Sequence, residues 1–184
     1  AHGPEVGLAR EGALRVDDHR EAVFDEAPCG RERLRATALP LHSATFTVNS
    51  NLDNGAPTNC AGGGTCTLRA ALVAANATPG QDTIRFALPT GSVIPPMSAF
   101  PTITAPVVID ARPSPTHSGR PTVFLDGLVA GASADGLRFG NGAAGSSVYG
   151  LGIARFGGSG IELTGNAHAV TIRGCEFGYT NLGA

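Results

Sequence analysis

The chain has 184 residues, enough for one domain with a real core, and its 13 basic residues, all arginine, nearly balance 15 acidic ones. A net charge of −2 argues against nucleic acid or an anionic membrane as the main partner, and no apolar run reaches the roughly 18 residues needed to span a bilayer. The 26 glycines and 13 prolines beside short β-branched runs predict many tight turns between short strands, an all-β chain.

Residues 1–43 mix Arg with Asp and Glu and hold few β-branched residues. Leu14, Val23 and Phe24 give only a weak helical stripe, so this part reads as a charged leader, partly disordered or helical, with a binding segment as the alternative. Cys29 has no nearby partner there, and His19 and His42 lack metal-ligand spacing. The chain opens on Ala1 with no basic-then-apolar signal, which predicts a mature or excised piece.

Residues 44–80 read as an amino-terminal cap. Thr45–Val48 is a first strand and "NLDNGAPTN" a polar turn. In "NCAGGGTCTLRAAL", Cys60 and Cys66 bound a glycine-rich loop directly before a helix expected from Leu68 to Ala75. Leu68, Ala71, Leu72 and Ala75 form its apolar stripe, Thr67 its N-cap, and Asn76 with "TPG" its end.

Residues 81–184 read as coils. Strands are expected at 82–88, 105–111, 122–127, 135–140, 147–153, 160–165 and 169–178, separated by Gly, Pro, Ser and Asn. No second helix lies between them to cross a parallel sheet, which excludes a βαβ fold. Late in the chain similar residues recur: Leu137 with Ile161, and at a slightly shorter interval Val148 with Val170, Gly152 with Gly174 and Ile153 with Cys175. A period in the low twenties built of short strands predicts a right-handed parallel β-helix, a solenoid whose coils stack at about 4.8 Å. Leucine-rich repeats share the period but would carry more Leu, and a sandwich would carry more Asn-Gly hairpins.

An open solenoid end exposes its apolar interior and unpaired strand edges, so a capping helix ahead of the first regular coil is expected. The cysteine loop then reads as a staple. Redox pairs favour C-x-x-C, whereas the loop between these two cysteines is longer, and zinc needs four ligands where only two lie close. A disulfide implies an oxidising compartment. Cys175 is expected at a buried ladder position.

"CTLRAALVAAN", followed by "GQDTIRFAL", resembles the CSLREA domain, the amino-terminal motif of secreted bacterial β-helix proteins. The match runs through Cys66, Leu68, Arg69 and Ala71, with Thr67 in place of the Ser and Ala70 in place of the Glu. The text from "VVIDARPSP" to "TIRGCEFG" is similar to the pectate-lyase-like β-helix repeats that usually follow, so the resemblance covers residues 44–184. It implies an exported or surface-attached protein, a class mostly described without an assigned activity. Pectate-lyase-like members cleave acidic polysaccharides with Arg or Lys as base and calcium held by carboxylates, which makes calcium the one cofactor to consider.

Residues for such chemistry are sparse. Asp110 and Asp126 each follow an apolar triplet; stacked, they would lie about 5 Å apart, near the carboxylate separation of retaining glycosidases. They stand less than one coil apart in the chain, so binding turn N–H groups is the expected role of both. Asp135 beside Arg138, and Arg155, are the remaining catalytic candidates, although an ordinary Arg stays protonated and makes a poor base. His117 and His168 lack partners, and no metal motif is present.

The sequence therefore predicts a secreted or cell-surface scaffold, monomeric, that binds polysaccharide or another surface component without catalysis in this segment. The alternative is a polysaccharide lyase or glycoside hydrolase using acidic and Arg residues on one coil face. The close at "YTNLGA" without a carboxyl-terminal cap predicts a piece of a longer solenoid.

Overall fold

The computed structural model describes residues 42–53, 60 and 64–178, together with 15–16 and 20–21. The chain divides into two units, Ala1–Leu41 and His42–Ala184. In the first, β1 (Arg15–Val16) and β2 (Arg20–Glu21) pair antiparallel; the helical stripe at Leu14, Val23 and Phe24, and Cys29, lie outside the described residues.

The second unit is a parallel β-helix of about three turns. One side is a five-stranded sheet of β3 (Thr45–Val48), β4 (Asp82–Phe86), β6 (Val107–Asp110), β9 (Ser147–Tyr149) and β12 (Thr171–Arg173), with every pair parallel. A second side stacks β5 (Ser92–Ile94), β7 (Val123–Asp126), β10 (Leu151–Ala154) and β13 (Glu176–Phe177). The third pairs β8 (Leu137–Phe139) with β11 (Ile161–Leu163) and adds a bridge from Ile103 to Phe139. Strand alternation explains the core: Phe46, Ile84, Ile109 and Val148 stack inward in register, and all four are buried.

Two expected strands are each broken by a corner. Gly150 separates β9 from β10 and Gly174 separates β12 from β13, with φ of 68° and 62°, values open to glycine without strain. The Gly150 N–H donates to the Arg173 carbonyl across the coils at 3.1 Å. The shorter of the two intervals read from the sequence is corrected by the register. Val148 sits on Ile172 and Ile153 on Phe177, the same interval that separates Leu137 from Ile161. The corner glycine that recurs under Gly174 is therefore Gly150. Strand β5, flanked by Gly91 and Pro95, was not expected from sequence.

Helix α1 (Leu68–Ala77) runs past the expected end at Ala75. The Thr67 hydroxyl accepts from the Ala70 N–H at 3.2 Å, and Leu68, Ala71, Leu72 and Ala75 are the residues it buries. It packs on β3 and β4 and closes that end of the solenoid. Asn76 fixes it to the third side, donating to the Thr102 carbonyl and accepting from the Thr104 N–H, both at 2.8 Å.

Cys60 and Cys66 form a disulfide with Cα atoms 4.6 Å apart. Cys66 also carries the entry of the cap: its carbonyl accepts from the Asn49 and Ser50 N–H groups, and its own N–H donates to Asn49 Oδ1. Reduction of this bond is expected to lower stability by about 2 kcal/mol, the loop entropy returned to the unfolded chain. Urea unfolding with and without reductant measures it, with Cys60→Ser/Cys66→Ser as the chemical control; coincident curves would mean the loop is held without its cross-link.

Candidate functional site

The outward positions of the five-stranded sheet make two columns. One runs Thr45, Thr83, Val108, Ser147, Thr171; the other runs Thr47, Arg85, Asp110, Tyr149, Arg173. At about 4.8 Å per strand the face extends about 19 Å. The first column is hydroxyl-bearing at every position but Val108, and the second gathers both charges with an aromatic ring.

Asp110 is the anchor of this face. Arg112 Nε donates to Oδ1 at 2.8 Å and Nη2 to Oδ2 at 2.9 Å, while the Arg112 N–H donates to Oδ1 at 3.2 Å. Nη1 reaches the Pro115 carbonyl at 3.0 Å. So held, the guanidinium lies over the Tyr149 ring, 4.2 Å from its centre. Burial works against the Asp110 carboxylate, but the Arg112 hydrogen bonds and the charges of Arg112 and Arg85 outweigh it and lower its pKa. Arg112 is raised in turn, chiefly by its bond to Asp110. Each group thereby favours the other's charged form, and the two are held as a carboxylate–guanidinium pair. Arg85 and Arg173 are exposed on either side and make no ion pair among the described residues.

The other expected residues are spread over the solenoid. Asp126 ends β7 on the second side, so it is not stacked on Asp110. Its carboxylate accepts from the Leu128 N–H at 3.2 Å, capping a 3-10 turn (Gly127–Val129), and is gripped through both oxygens by Arg155. Asp135 accepts from the Ser159 N–H at 2.7 Å, whereas Arg138 pairs with Glu162 across β8 and β11 at 3.0 Å. Asp110 and Asp126 each accept from a backbone N–H two residues on, the turn role expected of both, and Asp135, a catalytic candidate beside Arg138, instead caps the Ser159 N–H. Among the described residues no three His, Cys, Asp or Glu side chains gather as a metal would need, and Asp110 and Asp126 each already serve an Arg, so this donor set does not fit calcium. Cys175 is half-buried with its Sγ toward the Val148 carbonyl, and burial raises its pKa. No helix among the described residues is long and apolar enough to cross a membrane.

Arg85, Arg112, Tyr149 and Arg173 are not among the candidates singled out from the sequence. The signal was present: "TFT", "TIR", "VID", "SVY" and a second "TIR" share one pattern, outward–inward–outward, at the five strands of the sheet.

No protein-family model matches the chain, and no curated protein or solved structure matches it.

Proposed function

We propose that this chain is an exported or cell-surface β-solenoid scaffold whose five-stranded outer face binds polysaccharide. The observation that carries the reading is the pair of registered outward columns, hydroxyls beside Arg85, Asp110, Tyr149 and Arg173. Hydroxyls and guanidinium groups supply the donors and acceptors that sugar hydroxyls match, and a half-buried aromatic supplies apolar area. The strand backbone and the Asp110–Arg112–Tyr149 stack fix these groups before any ligand arrives, which lowers the ordering cost of binding. The Cys60–Cys66 disulfide and the CSLREA-like stretch support an extracytoplasmic setting.

The test is affinity electrophoresis of the folded chain against a panel of neutral and acidic polysaccharides. Tyr149→Ala and Arg85→Ala/Arg173→Ala are each expected to weaken retention at least tenfold, with an unchanged circular dichroism spectrum. Equal retention of the wild type and both variants would remove this face from the binding role, and no retention on any polysaccharide would remove the function.

A further inference from the structure

We propose that Asp82 is a pH-operated latch on the first strand of the solenoid, closed in acid and released as its carboxyl ionises. The inward corner column of the five-stranded sheet runs Ala44, Asp82, Val107, Ser146. Asp82 and Ser146 are its polar members; both are fully buried, and they are satisfied unequally. Ser146 accepts from the Val107 N–H at 3.0 Å and donates to the Ala143 carbonyl at 2.7 Å, which leaves it no proton for a neighbour. Asp82 accepts from the Ala44 N–H through Oδ1 at 2.7 Å, while Oδ2 is buried with no hydrogen-bond partner among the described residues. A buried oxygen without a partner is costly, and far more so once the group is charged.

The column offers one route of relief. Val107, on the inner side, is itself fully buried. Ala44, on the other, is half-buried just ahead of β3, which pairs with β4 alone among the described residues. Asp82 and Thr83 hold Ala44 by both backbone groups, its N–H through Oδ1 and its carbonyl through the Thr83 N–H at 2.8 Å. The far end of β3 is tied separately: the Ala87 N–H donates to the Val48 carbonyl, and the Asn49 and Ser50 N–H groups to Cys66. Opening confined to the residues before the buried Phe46 therefore admits water to Asp82 without dismantling a coil. No neighbouring charge offsets the carboxylate. β3 carries no titratable side chain, and Arg85, Asp110 and Tyr149 of the adjoining strands lie in the outward column. The one charged residue of α1, Arg69, is bound to Asp53, and the exposed His42 is the nearest titratable group preceding Ala44. Burial outweighs the Ala44 bond and raises the Asp82 pKa above 3.8, so the latch is closed below 3.8 and loosens as pH rises through the folded value.

Amide hydrogen exchange of the full chain tests this, read by NMR from pH 3 to 8 in a His42→Gln background and divided by each amide's intrinsic rate. Protection of the Ala44 and Thr83 amides is expected to fall at least tenfold across that range. The Ala111 amide, bound to the Tyr149 carbonyl at 2.9 Å, should keep its protection. With Asp82→Asn, which retains an acceptor for Ala44 and cannot ionise, the fall should vanish. Protection of Ala44 and Thr83 that stays level with pH would overturn the proposal. A fall that persists in Asp82→Asn would overturn it by assigning the effect to another group, and an equal fall at Ala111 by showing that the whole solenoid loosens together.

Discussion

Replacing Arg69 with alanine is expected to destabilise the solenoid by about 3–5 kcal/mol, the cost of leaving a buried carboxylate without its partner. Asp53 lies in the segment leading to the cap, and its side chain is only 3% exposed. Arg69 binds it through two parallel bonds, Nε to Oδ1 and Nη2 to Oδ2, both at 2.7 Å. The same guanidinium donates to the Ser98 and Ala99 carbonyls at 2.8 Å and lies 5.1 Å from the centre of the Phe100 ring. One side chain therefore joins the cap entry, α1 and the loop that follows β5. The Met97 N–H, which donates to Asp53 Oδ2 at 3.0 Å, cannot replace that charge. Arg69→Lys should fall between, since an ammonium keeps the charge but not the planar fork that serves both oxygens. Removing both partners should cost less than the sum of the single losses, because no orphaned charge remains. The measurement is the urea midpoint of the single and double variants; a loss under about 1 kcal/mol for Arg69→Ala would show that water reaches Asp53 freely.

The CSLREA-like stretch pointed to Arg69 without saying what it binds. Asp53 lies well upstream, across a disulfide-closed loop, and no local pattern links the two. Helix α1 was legible because everything it needs is local: a capping Thr67 and an apolar stripe at helical spacing. The solenoid was legible only late in the chain. In the five-stranded sheet Thr45 pairs with Thr83, Thr83 with Val108, Val108 with Ser147 and Ser147 with Thr171. Those steps alternate long and short, because loops of unequal length leave the corners. A fixed period appears once the loops shorten. Even there, matching like letters paired Gly152 with Gly174, while backbone geometry pairs Gly174 with Gly150. The outer face stayed hidden for the same reason. Its columns assemble from residues that share no period, and a charge such as Arg85 acquires meaning only beside Asp110.

The Asp82→Asn variant is expected to be more stable than the wild type at pH 7, by about 1–3 kcal/mol, and no more stable in acid. Asp82 occupies an inward position of β4 beside Val107 and is fully buried. Its Oδ1 accepts from the Ala44 N–H at 2.7 Å, while Oδ2 is buried with no hydrogen-bond partner. Burial raises its pKa above the ordinary 3.8, and the single Ala44 bond only partly offsets that. A carboxyl raised in the folded state stabilises the fold while it is protonated. That contribution is complete below 3.8 and disappears as the pH rises through the folded value. The wild type should therefore lose stability across that window, and Asp82→Asn, which keeps an acceptor for Ala44 and cannot ionise, should not. Its advantage opens as the pH rises from acid and levels off above the folded pKa. Unfolding free energies of both proteins from pH 3 to 8 decide the matter; two parallel curves would mean that Asp82 ionises in the fold as easily as in the unfolded chain. The position argues for a constructive role despite the cost. The Oδ1 bond to Ala44 secures the first residue before β3, where a plain apolar side chain would leave that N–H without its acceptor.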